Sequence, residues 1–193
     1  MSKIFYLMGK SASGKDTIYK KIKEKMPELR TIVIYTTRPI REGERDGVEY
    51  YFSDDERLEE FQTEGKVIEL REYNTIHGIW KYFTVDDGQF DKDGHVLAIG
   101  TLESYQKMRE YFGDEKMVPF YIEVEDGIRL DRALAREHKQ REPKYEEMCR
   151  RFLADSLDFA PEKLAEAGIV KKYQNIDMET CIEEIMLGIR EKL

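Results

Sequence analysis

The chain has few cysteines and histidines and lacks a net positive charge, and each of these removes a class of function. Its 193 residues contain two cysteines, Cys149 and Cys181, and neither belongs to a C-x-x-C pair. Two isolated thiols are what a reduced cytosolic protein carries, which argues against a disulfide scaffold. The histidines, His77, His95 and His138, are scattered, so no zinc site is expected. Basic residues number 32 against 40 acidic ones, a net charge of −8 that argues against wrapping nucleic acid. A few basic groups focused in a cleft can still bind a nucleotide. The first apolar run, Ile4-Phe5-Tyr6-Leu7-Met8, follows a single lysine and stops at Gly9. It is too short for a signal peptide or a membrane span and reads as a buried strand. A cytoplasmic protein with no membrane partner is expected. There is no internal repeat, low-complexity segment or interdomain linker.

With 40% hydrophobic and 37% charged residues, the chain suits one domain with a substantial core. Strand-like runs alternate with helix-period segments, the pattern of an α/β fold with a parallel sheet covered on both faces. Ile18, Ile22 and Met26 recur every fourth residue and mark a helix closed by Pro27. Ile32 to Tyr35 reads as the next strand. Ser53-Asp54-Asp55-Glu56 has capping-box spacing, so a helix should start there and end near Gly65. Val67 to Leu70 and Trp80 to Val85 resemble strands of a smaller β-rich insertion. Val96 to Ile99, Pro119 to Val124 and Ile169 to Tyr173 return to core-strand character. Leu102 to Phe112 and Ile128 to His138 are helical, and Ile182, Ile185, Met186 and Ile189 give a final helix its buried face. The charged stretch Glu137 to Glu147, with Pro143 inside it, suits either a solvated surface or a lid.

Between the first strand and the first helix lies Gly9-Lys10-Ser11-Ala12-Ser13-Gly14-Lys15. This is the context a Walker A loop requires. Its glycines let successive N–H groups curl inward around phosphates, and the helix after Lys15 adds its positive dipole end. Lys15 supplies a compact cation that can follow charge onto a transferring phosphoryl group. Gly9, Ser11, Ala12, Ser13, Gly14, Lys15, Asp16 and Thr17 are therefore the candidate ATP-binding residues. The motif normally ends in a metal-binding Ser or Thr, but Asp16 fills that place and Thr17 follows. Asp16 suits a hard ligand for Mg²⁺, the expected cofactor, and it equally suits an acidic residue in a first helical turn.

The segment Thr36-Thr37-Arg38-Pro39-Ile40-Arg41-Glu42-Gly43-Glu44-Arg45-Asp46-Gly47-Val48-Glu49-Tyr50-Tyr51-Phe52 sets two arginines astride a proline-stiffened turn, with a tyrosine beyond. Guanidinium forks and a phenol hydroxyl suit a phosphate monoester. The segment closely resembles the T-T-R-x-x-R-x-G-E-x-x-G-x-x-Y-x-F signature of the guanylate kinase family, and the resemblance runs over essentially the whole chain. It implies a P-loop NTPase fold that moves the γ-phosphoryl of ATP onto GMP, or dGMP, in purine nucleotide metabolism. It also implies a core over residues 1–34, 85–136 and 149–193, a GMP-binding insertion over about 35–84 and a mobile lid over about 137–148.

By that resemblance Arg38, Arg41 and Tyr50 hold the GMP phosphate. Val67-Ile68-Glu69 resembles the strand whose glutamate reads the guanine N1–H and amino group. Tyr82-Phe83-Thr84 resembles the Y-G-S/T element, in which Tyr82 and Thr84 supply a phosphate and a base contact; extra residues around His77-Gly78-Ile79-Trp80 precede it. Leu130 to Arg136 resembles the helix leading into the lid, which gives Arg132 to ATP and Arg136 to catalysis with Lys15. Arg151 resembles the catalytic arginine of the return helix, and Asn175 an asparagine near the adenine. Arginines on amphipathic helices are also common as exposed surface charges.

Two departures stand out. The family strand L-D-I-D-x-Q-G corresponds to Ala98-Ile99-Gly100-Thr101-Leu102-Glu103-Ser104, so both aspartates are missing. Thr101 can hydrogen-bond a base but supplies no charge, and Ile34 replaces a base-contacting serine. Asp16 would then restore the metal carboxylate lost at Ile99. Two relatives remain as alternatives. Ribose bisphosphate phosphokinases share Gly-Lys-Asp and the Val96 to Thr101 strand but lack the full arginine segment. Guanylate-kinase-like scaffold modules bind phosphopeptides but have degraded phosphate loops. The oligomeric state, monomer or homodimer, is left open.

Overall fold

A computed structural model describes residues 2–41, 43–75 and 78–193; Glu42 of the signature segment and His77 lie outside the described residues. Five parallel strands form the main sheet in the order β2 (Arg30–Thr31), β7 (Val96–Gly100), β1 (Ile4–Met8), β8 (Met117–Glu123), β9 (Lys172–Gln174). Every residue of β1 is buried, as a central strand covered on both faces requires. Its side chains alternate between two cores. Ile4, Tyr6 and Met8 meet Leu102, Tyr105 and Met108 of α3 (Leu102–Phe112) together with Phe159 and Leu164. Phe5 and Leu7 meet Ile18 and Ile22 of α1 (Lys15–Lys25) and Ile182, Ile185 and Ile189 of α7 (Met178–Arg190). Each of those three isoleucines is fully buried, contributing about 1.5–3 kcal/mol apiece. The α/β parallel sheet flanked by helices is thus present. Among the described residues no helix is long and apolar enough to cross a membrane.

A second sheet of four strands runs β4 (Tyr51–Phe52), β3 (Tyr35–Thr36), β6 (Gly78–Val85), β5 (Val67–Thr75). Beta-6 lies antiparallel to both β3 and β5, and β3 is parallel to β4. Leu58 and Phe61 of α2 (Asp55–Thr63) close its small core against Phe83 and Val85. The cap of α2 is Asp54, not Ser53: its carboxylate accepts from the Arg57 N–H at 2.8 Å. Strand β5 also packs against α3, which fixes this sheet beside the main one.

The remaining helices are α4 (Asp126–Glu137), α5 (Tyr145–Asp158) and the short α6 (Pro161–Glu166). Three strand expectations are corrected. Residues 32–34 are not strand; the chain leaves the main sheet after Thr31 and joins the second at Tyr35. The edge strand β9 begins at Lys172, while Ile169 fills the core as part of the turn after α6. The hairpin of β5 and β6 extends beyond the apolar runs through polar residues, because cross-strand backbone bonds hold it.

Candidate functional site

Strand β1 delivers the chain to the loop at 9–14, and α1 carries it away. Gly14, the N-cap of α1, has φ 84° and no side-chain cap, so the first N–H groups of the helix keep their capacity for an anion. A Cβ on Gly14 would meet Asn175 Nδ2 at 2.5 Å, and one on Gly9 would meet the Ile122 carbonyl at 2.7 Å. Both glycines are therefore fixed by close packing as well as by curvature. Lys15 lies beside Asp16, Nζ to Oδ2 3.1 Å, and the Asp16 side chain is 78% exposed. The side chain of Thr17 is also exposed.

A cavity of about 210 Å³ opens over the loop, lined by Ala12, Ser13, Gly14, Asp16, Thr17, Lys10, Arg132 and Arg136. The structure thus brings Arg132 and Arg136 of α4 to the phosphate loop. Arg132 also donates to the Asn175 carbonyl at 3.1 Å. Asn175 itself has no exposed surface; its Nδ2 donates to the Ser13 carbonyl at 2.8 Å. It packs against Gly14 and so supports the loop through its side chain. Arg151 is not in the cavity wall: its Nε donates to Glu147 at 2.8 Å. Glu147 also accepts from Arg150, and those two guanidinium groups hold its carboxyl down at about 2.

Sequence reasoning missed two residues that tie α4 and α5 to the loop. Asp155 of α5 accepts from the Ser11 N–H at 2.8 Å. Arg129, fully buried, donates to the Ser11 carbonyl at 3.0 Å, reaches Asp155 at 3.5 Å and grips Asp126 through Nε and Nη2. Only the polarity of the inward face of α4 could have signalled Arg129, and a surface arginine looks the same in sequence.

A second cluster of cationic, aromatic and acidic side chains lies on the smaller sheet. Arg38 is buried and donates end-on, through Nη2 and Nη1, to the two Glu44 carboxylate oxygens at 2.8 and 3.0 Å. That pairing depresses the Glu44 carboxyl. The Arg38 guanidinium lies 5.3 Å from the Tyr50 ring centre and 5.5 Å from that of Phe52. Arg41 is more exposed, its guanidinium 5.9 Å from the Trp80 ring centre. Burial raises the Tyr50 pKa, Tyr82 adds to this, Arg38 and Arg71 oppose it, and the Asp16 charge raises it further. Asp16 of the phosphate loop is therefore within electrostatic reach of Tyr50.

Glu69 sits at the far end of this face, buried, with Thr84 Oγ1 donating to it at 2.7 Å. Arg71, also unforeseen from sequence, donates to both Glu69 oxygens, at 2.8 and 3.2 Å. Thr101 caps α3, its hydroxyl oxygen accepting the Ser104 N–H at 3.2 Å. Ile99 packs into the apolar core on the α1 side of the sheet. The structure thus groups Arg38, Tyr50 and Tyr82, places Glu69 with Thr84, and leaves Arg41 at the rim.

Comparisons with known proteins bear on the family and the fold. The guanylate kinase family profile matches residues 1–85. The guanylate kinase of Salinibacter ruber is 28% identical over 192 residues, covering 98% of this chain and 96% of that protein. That of Helicobacter hepaticus is 30% identical over 134 residues, covering 69% of this chain and 66% of the relative. Other guanylate kinases align over only 34% to 39% of their own length. The crystal structure of guanylate kinase from Anaplasma phagocytophilum superposes with a TM-score of 0.64 at 22% identity, over 99% of this chain and 86% of that one, and shows the shared fold. The arginine signature segment and the phosphate loop, a matching profile and a relative aligned from end to end converge, and the chain belongs to the guanylate kinase family.

Proposed function

We propose that the protein is an ATP-dependent kinase that phosphorylates GMP, and by the same contacts dGMP, in the cytoplasm. The observation that carries this is a phosphate loop whose cavity is lined by Arg132 and Arg136, together with a buried Arg38 grouped with Tyr50 on the smaller sheet; a donor on the loop and an acceptor phosphate near Arg38 would meet between them. ATP would lie over residues 9–17 with Arg132 beside it. GMP would lie on the smaller sheet, its phosphate toward Arg38, Arg41, Tyr50 and Tyr82 and its base toward Glu69, Thr84 and Thr101. Rate enhancement would come from positioning and charge neutralisation, with no covalent intermediate.

In this scheme Lys15 holds the transferring phosphoryl group, while Arg136, already at the loop cavity, neutralises developing charge. Arg151 would join only if α5 moved, since Glu147 holds it. A lid over residues 137–148 would keep water from the γ-phosphoryl. Among the described residues no group of three or more His, Cys, Asp or Glu could cage a metal. That suits Mg²⁺, which is commonly held by one or two carboxylates plus substrate phosphates, and the exposed Asp16 carboxylate is the protein ligand at hand. The metal would supply charge neutralisation on the phosphates.

An ADP-release assay with Mg-ATP tests the proposal, run in parallel against GMP, dGMP, AMP, CMP, UMP and ribose 1,5-bisphosphate. GMP should be the best of these, and Lys15→Met should fold normally yet lose transfer by several kcal/mol of transition-state stabilisation, ~3 or more. Turnover with ribose 1,5-bisphosphate alone, or full turnover by Lys15→Met, would refute it.

A further inference from the structure

The base end of the acceptor cleft is occupied by a pair, not by a lone carboxylate. Glu69 and Arg71 are consecutive residues on one face of β5, and their cross-strand partners on β6 are Thr84 and Tyr82. The Tyr82 ring lies 5.6 Å from that of Tyr50, whose ring centre is in turn 5.3 Å from the Arg38 guanidinium. Arg71 therefore stands between the carboxylate end and the arginine end of the same face of the smaller sheet. Its side chain is 9% exposed and that of Glu69 1%. Burial opposes the Arg71 charge, but Glu69 beside it more than compensates, so the guanidinium stays protonated.

Counting donors and acceptors shows what this pair can offer a ligand. A carboxylate has roughly four acceptor sites, two on each oxygen. Glu69 Oε1 already accepts from Thr84 Oγ1 and Arg71 Nη2, and Oε2 accepts from Arg71 Nε. One acceptor site remains, on Oε2. Guanine presents two donors side by side, N1–H and the 2-amino group, and needs an acceptor for each. Arg71, by contrast, has five N–H donors, of which only two are committed among the described residues. The pair thus offers one acceptor and several donors. That matches a base edge with one N–H beside a carbonyl oxygen, which every 6-oxopurine has, with or without a 2-amino group. It mismatches adenine, whose 6-amino group would face the Arg71 donors.

We infer that Arg71 is a specificity-determining residue of the acceptor site and that, with it in place, the protein phosphorylates 6-oxopurine 5′-monophosphates as a class, IMP alongside GMP. The inference rests on the kinase activity proposed above. In the step, a 5′-phosphate oxygen of IMP attacks the γ-phosphorus of ATP. The bond from that phosphorus to the bridging oxygen of ADP breaks, and IDP and ADP result with the electron pair left on ADP.

The test measures kcat/KM for GMP, IMP and AMP, together with GMP and IMP dissociation constants by calorimetry without ATP. In the wild type, GMP should be favoured over IMP by less than about tenfold, with AMP poor, because the 2-amino group finds no acceptor. Arg71→Met frees acceptor sites on both Glu69 oxygens and should raise the GMP to IMP ratio by about tenfold or more. Arg71→Lys, which keeps a cation for Glu69 but not the side-on fork, should give an intermediate ratio if the methionine variant does not fold. A wild-type preference for GMP of more than about a hundredfold would overturn the inference while leaving the GMP kinase reading intact. So would an unchanged ratio in a folded Arg71 variant. Failure of both purine nucleotides to bind or react would overturn that reading as well.

Discussion

Arg129→Met isolates what the buried arginine does for the phosphate loop. Methionine keeps much of the apolar stem and removes the guanidinium. The bond to the Ser11 carbonyl, 3.0 Å long and charge-assisted, accounts for about 1.5–3 kcal/mol. Stacking over Phe152, 4.6 Å from its ring centre, adds about 0.5–1 kcal/mol. The pair with Asp126 adds little, about 0–1 kcal/mol, because that carboxylate is 49% exposed. The contact with Asp155, at 3.5 Å, is long, yet its loss leaves a carboxylate only 16% exposed beside the loop. A total near 3 kcal/mol follows, which for a chain of this length lowers Tm by roughly 6–12 °C. Calorimetric or circular-dichroism melts measure it. A double-mutant cycle with Asp155→Asn, which keeps an acceptor for the Ser11 N–H, should show coupling of about 1 kcal/mol. A Tm within about 2 °C of wild type would show that Arg129 does not hold the loop, and strict additivity would remove its link to Asp155.

Asp16→Ala should raise the Mg²⁺ concentration needed for half-maximal activity, and Asp16→Ser should recover only part of the loss; unchanged metal dependence in both would reduce Asp16 to a first-turn residue of α1. Arg41→Ala should weaken GMP binding by about 1.5–3 kcal/mol and Tyr50→Phe by less, with ATP affinity unchanged; equal damage to ATP binding would place them in the wrong cleft. The Glu147 carboxyl, held at about 2 by hydrogen bonds from Arg150 and then Arg151, should titrate far below its usual 4.5. Its depressed pKa means that its contribution to the start of α5 is complete above the usual value and is lost as pH falls from there through about 2. Carbon-13 NMR of its side chain checks this, and an ordinary midpoint would mean that the arginines do not hold it.

Local chemistry was legible wherever one segment contains its own reason. The phosphate loop lies between an apolar run and a helix-period segment, so sequence neighbours suffice to read it. The same holds for the arginine segment and for α3, whose limits follow from Thr101 at one end and Gly113 at the other. Strand limits were less legible: β5 and β6 run on through polar residues because each supplies the other's hydrogen-bond partners.

The site's supporting residues were decided by tertiary structure alone. On α4 the apolar Leu130 and Leu134 are 37% and 39% exposed, while Arg129, Ala133 and Glu137 are buried. A buried arginine and a buried glutamate are tolerable only if partners arrive from elsewhere. Here they do: the Ser11 carbonyl and Asp155 for Arg129, the Lys144 N–H and the Gln140 amide for Glu137. Glu69 repeats the point on the second sheet. The resemblance of its strand to the family's implied a carboxylate that reads a base; the pleat of β5 also sets Arg71 against it and the hairpin brings Thr84. The sequence by itself determined that two phosphate-binding segments exist, because each is a local arrangement of glycine, lysine or arginine. Only the tertiary structure decided which charges reach them and which are already spoken for, because a hydrogen bond is set by distance in space and not by separation along the chain.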